Sequence, residues 1–492
     1  MTLSTAVDAN AVARVVGIQT IFKDNRQGDV ILLPQRIALF GQGASASTYP
    51  ATKQVITSAL QAATIYGFGS PIHLAAQQLF PVNGDGVGAI PVTVYPMVDD
   101  ASGTPAAGDI TPSGVQVTEE SYVVRVNNID SESFTIAAGA AIAAITAAIT
   151  TAINATLDMP VIAVDNSTDV GLTSKWEGTS ANDLVVSVVG PSAGTTFAFT
   201  QPTGGTNNPD ITSALALIGD VWETLVINCL DVADTTNLDR YETEGESRWG
   251  ALVRKPFVVF SGETAAAVAT AITVPDARPN DRVNSQLVSP GSDDLPFVVA
   301  ARGVARIAKL ADENPPHDYG SQPATGLTPG ADSDQWDYLE RDQAVKAGSS
   351  TVKVKDGVVN LDDVVTFYHP SGDPNPAYRY VVDIVKLQNI IFNLDLIFAT
   401  PEWDGAPLLP DDQPTTNRSA KRPKTAVAAV SAVLDTLGLE AIISDPETAK
   451  ANTQAEIDSG NPKRLNVTTT VQLSGNVNII SVDLNFGFFF GS

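Results

Sequence analysis

Hydrophobic and polar positions alternate along this chain with the periods of short strands and helices, most clearly between residues 204 and 230. Residues 204–210 form a glycine-led turn whose side-chain oxygens can cap a helix. The predicted helix ends at Gly219. Its apolar face consists of Ile211, Ala214, Leu215 and Ile218. Residues 224–230 are apolar and β-favouring, so they predict a buried strand.

The same patterns predict an α/β core that an insertion interrupts. Residues 31–43 and 89–97 are predicted strands, and two helical segments, about 51–66 and 71–80, lie between them. Strand, helix and strand in this order favour one sheet layer with a right-handed crossover. Further helical patterns fall near 234–246, 263–272, 295–311, 376–390, 423–437 and 446–458. Further strand patterns fall near 256–260, 284–288, 351–354 and 364–368.

Residues 98–203 differ from the core because they are rich in Gly, Ala, Ser and Thr. Strand patterns fall near 115–126, 160–164, 184–189 and 195–200. Residues 134–157 predict a helix with one bulky stripe, made of Ile142, Ile145, Ile149 and Ile153. A membrane span would be bulky on all sides, so we expect an amphipathic helix and no membrane insertion. We interpret this segment as an inserted α+β module.

Both ends of the chain carry strand patterns with little nearby sequence to pair with. Near the N-terminus, one strand face is formed by Val12, Val16, Ile18 and Phe22. Residues 478–490 alternate strictly, and their apolar face is formed by Ile480, Val482, Leu484, Phe486, Phe488 and Phe490. Residues 465–473 also alternate, and 474–476 can form a turn. Such unpaired strands are typical of segments that another chain completes.

These patterns together predict an α/β, partly α+β, multidomain fold. The core, with a central mixed sheet, is discontinuous and comprises residues 23–97 and 204–464. The insertion covers 98–203. Residues 1–22 and 465–492 are predicted to be extended strand arms.

Charge and cysteine content narrow the class of protein. The net charge is −26, so phosphate-rich partners would be repelled, and we expect no nucleic-acid or anionic-membrane partner. The one cysteine, Cys229, excludes an internal disulfide and lies in the predicted strand 224–230, as expected of a buried small hydrophobe. The N-terminus lacks the layout of a secretory signal.

No catalytic, cofactor-binding or metal-binding motif stands out. Residues 41–46 superficially match a dinucleotide fingerprint, but Pro50 follows and no acid occurs between Asp29 and Asp85. The three histidines are far apart in sequence, at His73, His317 and His369. The densest acidic cluster has Trp336 where a calcium loop would need an oxygen ligand, and comprises Asp332, Asp334, Asp337 and Glu340. We therefore expect no enzyme and no cofactor, which disfavours a hydrolase or dehydrogenase.

Several segments together resemble the tail sheath protein of contractile bacteriophages, in the branch typified by phage Mu. In the core they are LPQRIALFGQG (33–43), AATIYGFGSPIHLAAQQL (62–79), IPVTVYPM (90–97), GGTNNPDITSALALIGD (204–220) and SRWG (247–250). In the insertion they are SFTIAAGAAIAAITAAITTAINA (133–155) and LTSKWEGTSANDLVVSV (172–188). Later come ERDQAVKAGSSTVKVKDGVV (340–359), VVTFYHP (364–370) and NPKRLNV (461–467). They occur in family order and cover most of the chain.

The resemblance implies a structural subunit of a virion tail, assembled in the bacterial cytoplasm. It implies homo-hexameric rings stacked in a helical polymer around an inner tail tube, with baseplate and tail terminator proteins as further partners. Contraction would drive the tube through the host envelope, with the terminal arms adding strands to neighbouring subunits and the insertion facing outward. A tail-like bacteriocin, another contractile injection particle and a non-contractile polymeric surface protein remain alternatives.

A basic group in the last third of the chain is a candidate contact to an acidic tube or neighbour. It comprises Lys421, Arg422, Lys424, Lys463 and Arg464. Ordinary solvated charge explains these residues equally well.

Overall fold

The computed structural model describes residues 31–373, 376–478, 480–484 and 486. Within these, contacts divide the chain into two compact units. One contains residues 32–392 and the described residues from 475 onward, and the other contains residue 31 and residues 393–474. Six predicted arm residues lie outside the described part: Val12, Val16, Ile18, Phe22, Phe488 and Phe490.

The first part of the core forms three strands and two helices. These are β1 (Ile37–Gln42), β2 (Gln54–Ile56), α1 (Ala59–Tyr66), α2 (Pro71–Leu79) and β3 (Val92–Met97). The prediction of a helix from residue 51 was wrong, because 54–56 pair with β3 as a strand. The helix begins only after Ser58, whose hydroxyl accepts the Gln61 amide at 3.1 Å.

The insertion folds into two sheets and one long helix. Its elements are β4 (Pro105–Gly114), β5 (Glu120–Val126), β6 (Ile129–Asp130), β7 (Phe134–Ile136), α3 (Ile142–Ala155), β8 (Val161–Asp165), β9 (Val170–Glu177), a 3-10 turn (Thr179–Asp183), β10 (Val186–Val189) and β11 (Thr195–Thr203). One sheet has the order β10-β5-β6 with β7 on β5, and the other has the order β11-β4-β9-β8. The predicted isoleucine stripe is confirmed, because Ile145, Ile149 and Ile153 of α3 are buried.

The chain then completes the core. Its elements are α4 (Thr212–Ala216), β12 (Leu225–Asn228), α5 (Thr235–Trp249), β13 (Val258–Glu263), α6 (Val268–Ala271), α7 (Thr273–Asp276), β14 (Asn284–Val288), α8 (Pro296–Glu313), α9 (Tyr338–Lys346), β15 (Val352–Lys355), β16 (Val358–Leu361) and α10 (Val381–Phe398). Residues 263–272, predicted as one helix, instead end β13 and form the short α6. No regular strand forms at residues 364–368; an isolated bridge joins Val365 to Tyr380.

Six strands of the described chain form the central mixed sheet, in the order β14-β13-β12-β1-β3-β2. All pairs are parallel except β2 with β3. Both faces are covered, which explains the continuous apolar runs in β1, β3 and β12. Phe40 of β1 stacks on Tyr95 of β3 at 4.9 Å and meets Tyr241 of α5 edge-on at 5.5 Å. The opposite face packs against α2 and α8. The predicted α/β multidomain class is confirmed.

The insertion packs directly on the core in the same unit. Trp176 of β9 is fully buried, donates to the Ser180 hydroxyl at 3.0 Å, and meets Phe297 of α8 edge-on at 6.1 Å. The two ends of the insertion come together where Thr104 pairs with Thr206. The insertion therefore leaves and re-enters the core at one place.

The second unit is smaller. After the end of α10 it contains α11 (Pro423–Leu439), β17 (Ile443–Ser444), α12 (Pro446–Ala451), β18 (Gln454–Ile457), β19 (Leu465–Thr468) and β20 (Gln472–Leu473). Two separate antiparallel pairs form, β17 with β20 and β18 with β19. The predicted helix 446–458 is wrong beyond residue 451, where the chain turns into β18. The sequence grouped 393–464 with the core, whereas here they join 465–474 in a compact unit.

A partly buried carboxylate at the junction of insertion and core makes stability depend on pH. Burial, then the nearby Asp231 and Glu263, raise the pKa of Asp183 from 3.8 to about 7. A carboxyl group with a raised pKa contributes stability that is present below pH 4 and is lost as pH rises through about 7.

We expect Asp183→Asn to increase the free energy of unfolding at pH 8, by roughly 2–4 kcal/mol, and to have little effect near pH 4. Urea denaturation of both proteins at the two pH values measures this. Equal stabilisation at both values would contradict the assignment to Asp183 ionisation.

Candidate inter-subunit surfaces

From residue 477 onward, the C-terminal arm exposes every apolar side chain that the structure describes in it. Val477, Ile480, Val482, Leu484 and Phe486 are between 77% and 88% exposed. None of residues 480–484 or 486 is paired in a strand. The alternating pattern predicted at 478–490 therefore buries nothing in the described single chain, and its strand form stays a prediction that requires a partner.

The β18–β19 hairpin is a sheet with two open edges. Its strands pair from Gln454 with Thr468 to Ile457 with Leu465. In the described part of the chain neither strand has a second neighbour, and α11 packs against both. An isolated two-stranded ribbon is marginally stable in water. Its outer N–H and C=O groups are therefore available for added strands.

By contrast, one edge of the central sheet is covered and the other is short. Beside β14, the Val288 amide donates to the Ser350 carbonyl at 3.1 Å, and the Phe367 amide donates to the Asn284 backbone carbonyl at 2.9 Å. At the other edge β2 is only three residues long. Covered and short edges both disfavour pairing with another chain. The comparison favours β18–β19 as the acceptor of a partner's strand.

Three of the five basic side chains predicted to contact a tube or neighbour already bind acceptors within their own unit. Lys421 Nζ lies 3.1 Å from the Glu402 carboxylate and 5.0 Å from the Trp403 ring centroid. Arg422 and Lys424 donate to backbone carbonyls of the preceding loop at 2.8 and 3.1 Å. These side chains fasten that loop to the start of α11. Their contact with a tube or neighbour stays a prediction.

The other two cations lie beside the β18–β19 turn. Lys463 is exposed, and the Arg464 side chain is 67% exposed. Arg464 Nε donates to Asn466 Oδ1 at 2.8 Å and lies 4.0 Å from Asp458. The five cations therefore split between two places, and this exposed pair is better placed to meet another molecule.

The other sequence candidates have local structural roles. Asp337 and Glu340 form a capping box on α9, each accepting the other's backbone amide at 2.9 Å. At Gly41, a Cβ atom would lie 2.9 Å from Ile72 Cγ1, so the glycine permits close packing. Cys229 is buried, which raises the pKa of its thiol.

His73 is also buried, and its Nδ1 accepts the Gly69 amide at 3.0 Å. Burial lowers its pKa. Across the described ranges, no group of three or more His, Cys, Asp and Glu side chains is arranged to hold a metal ion. Every helix in the described residues is too short or too polar to cross a bilayer.

The fold is that of a tail sheath protein. The sheath tail protein of Listeria innocua superposes over 91% of this chain and 94% of its own, with a TM-score of 0.50 and 13% sequence identity. The sheath tail protein of Desulfitobacterium hafniense covers 93% of this chain and 100% of its own, with a TM-score of 0.45 and 14% identity.

The sequence itself is similar to a particular member of this class. It is 24% identical over 468 residues to the Mu-like prophage FluMu tail sheath protein of Haemophilus influenzae, covering 92% of each chain. No protein-family model matches the chain. The resemblance to a Mu-like tail sheath protein is thus confirmed over nearly the whole length.

The sequence analysis did not predict the β18–β19 hairpin. Residues 454–457 were included in a predicted helix because Pro446 and the following residues favour one. A local signal was present: Gln454 and Glu456 alternate with Ala455 and Ile457, and the polar 458–464 segment follows as a turn. The pairing with β19 makes residues 454–457 a strand rather than the end of a helix.

The two groups of cations should respond differently to substitution. We expect Lys421→Ala to destabilise its unit by about 1 kcal/mol, since a partly buried ion pair and a cation–π contact are lost. The double variant Lys463→Ala, Arg464→Ala should change stability by less than about 0.5 kcal/mol. Chemical denaturation measures both. An equal loss of stability in the Lys463→Ala, Arg464→Ala variant would contradict the division of the basic residues into bound and exposed groups.

Proposed function

We propose that this protein is the structural, non-enzymatic subunit of a contractile tail sheath. It polymerises as stacked hexameric rings around an inner tail tube and shortens to drive the tube through the host envelope. The observation that carries this proposal is the combination, in one chain, of an exposed apolar strand pattern and an open-edged sheet. The likeness to a Mu-like tail sheath protein supports the same role.

The link between subunits is strand addition. The C-terminal arm of one subunit and the N-terminal arm of another pair with the two open edges of β18–β19. Each added backbone hydrogen bond contributes roughly 1 kcal/mol net. Burial of each large apolar side chain, such as Ile480 or Phe486, adds roughly 1.5–3 kcal/mol. These gains oppose the entropy lost when an arm becomes ordered, roughly 1–2 kcal/mol per residue.

Contacts between an arm and an acceptor favour a polymer over a closed dimer. An arm and an acceptor are different surfaces, so each contact is head-to-tail, and repetition gives a ring or a helix. Baseplate and terminator proteins would cover the acceptors and arms left open at the two ends. Lys463 and Arg464, beside the acceptor, are the best placed of the basic residues to contact an acidic tube or neighbour.

Contraction is a movement of folded bodies joined by arms. The central sheet is covered on both faces, one of its edges is covered and the other is short, so the sheet does not rearrange easily. The apolar side chains of the C-terminal arm are exposed in the described residues beyond Asn476. Bodies can therefore shift relative to one another while the strand-addition contacts hold the polymer together. The particle is a virion tail or a related contractile injection particle.

Removal of the C-terminal arm should separate folding from polymerisation. We expect a chain ending at Asn478 to unfold at the same temperature as the full-length protein, because the removed apolar residues that the structure describes are exposed. It should remain a monomer while the full-length chain forms striated cylinders. Thermal denaturation and negative-stain electron microscopy check the two parts.

The matched control keeps the arm length and removes its apolar face. It carries four substitutions, Ile480→Asn, Val482→Asn, Leu484→Asn and Phe486→Asn. If either variant still forms cylinders at the concentration that suffices for the full-length chain, the C-terminal arm is not the link.

The insertion should be dispensable for polymerisation, since neither the arm nor the acceptor involves it. The test joins Val98 to Gly204 by a short linker. Because the deletion uncovers the face of α8 that Trp176 covers, the variant also carries Phe297→Gln to prevent aggregation. We expect thinner cylinders in electron micrographs, because the insertion faces outward. A folded monomer, verified by circular dichroism, that fails to polymerise would contradict this prediction.

A further inference from the structure

One side chain holds the C-terminal arm just after the chain has returned to the larger unit. Lys386 Nζ donates to Asn476 Oδ1 at 2.7 Å, and Asn476 Nδ2 donates to the Pro316 carbonyl at 2.8 Å. Both ends of the Asn476 amide are thus bonded to elements far away in sequence. The next residue, Val477, is 82% exposed, as are the apolar positions after it.

The lysine in this contact is unusual because it is completely buried. Lys386 lies in α10 with 0% of its side chain exposed, and its ammonium group is 3.0 Å from Asp383 Oδ1. A buried ammonium is costly unless hydrogen-bond acceptors surround it, and it has three protons to donate. The Asn476 oxygen is one of those acceptors. The bond is charge-assisted and therefore stronger than an ordinary amide contact.

We propose that Asn476 is the anchor of the C-terminal arm. It fixes the point from which residues 477–492 extend to a neighbouring subunit, and it transfers tension on the arm to α10 and to the Pro316 segment. Without it, the last contacts before the arm are the two-residue pairing of β20 with β17 and the Ser474 amide, which donates to the Ile442 carbonyl at 3.3 Å. The proposal rests on the proposed function, since an arm needs an anchor only if it links subunits.

The anchor shortens and directs the arm. Sixteen residues follow Asn476, which span at most roughly 55 Å when extended. Release back to Ser474, whose amide is bonded to the Ile442 carbonyl, would lengthen the free segment by about 7 Å and remove its fixed direction. A longer, undirected tether lowers the effective concentration of the arm at its acceptor. The anchor therefore favours assembly without contributing to the acceptor contact itself.

The first test uses the monomer and thermolysin, which cleaves before large apolar residues in mobile chain. In the full-length protein we expect trimming to stop on the C-terminal side of Asn478, because the anchor holds the chain before it. In Asn476→Ala the cut before Val477 should become accessible. Intact-mass spectrometry of the trimmed protein distinguishes the two end points.

Two further variants make the result specific. Lys386→Met removes the other half of the contact and should give the same new cut as Asn476→Ala. Asn478→Ala, at an exposed asparagine two residues further on, should trim like the full-length protein. Trimming of the full-length protein back to Val477 would overturn the anchor. So would a Lys386→Met protein, folded by circular dichroism, that trims like the full-length chain.

The second test measures assembly. We expect Asn476→Ala to polymerise only at a concentration severalfold higher than the full-length chain, because the released arm is longer and undirected and its effective concentration at the acceptor is lower. Unchanged polymerisation would show that the anchor has no role in assembly. If the full-length chain itself does not polymerise, the proposed function fails, whereas the trimming experiment still decides whether Asn476 holds the arm.

Discussion

Backbone hydrogen bonding at sheet edges is the constraint on which the rest of this structure depends. Every N–H and C=O group at an edge must be paired, covered or left to water. The central sheet meets this requirement internally, with Ser350 and Phe367 beside β14 and a very short strand at the opposite edge. The β18–β19 hairpin does not, and the C-terminal arm is an apolar strand pattern without a sheet. In the proposed polymer, the arm of one subunit would supply the strand that the open hairpin edge of another subunit lacks.

The division into a closed core and open extensions suits a subunit that must move without unfolding. Helices cover both faces of the central sheet, and Trp176 fixes the insertion to α8. Bending such a layer would expose large apolar surfaces, so movement concentrates where packing is absent. The Lys386–Asn476 contact marks that boundary, because packed structure ends there and the exposed arm begins.

Electrostatics oppose the association of these subunits. Each chain carries a net charge of −26, so identical copies repel one another at low ionic strength. Directional backbone hydrogen bonds and apolar burial must therefore supply the attraction. In the proposed polymer, the same repulsion would keep isolated subunits apart until arms and acceptors meet. The partly buried Asp183 carboxylate, whose pKa is raised to about 7, adds a sensitivity to pH within the folded unit itself.

The sequence by itself determined the helices and strands with clear periods, the isoleucine stripe of α3 and the lack of a local partner for the apolar positions at 480, 482, 484 and 486. These follow from periodicity and capping, which are properties of neighbouring residues. Tertiary structure decided that 54–56 form a strand, that β18 replaces the end of a helix, which sheet edges stay open, and that Lys386 meets Asn476 across 90 residues. Short segments adopt the structure that a distant partner imposes, and no local pattern encodes that partner.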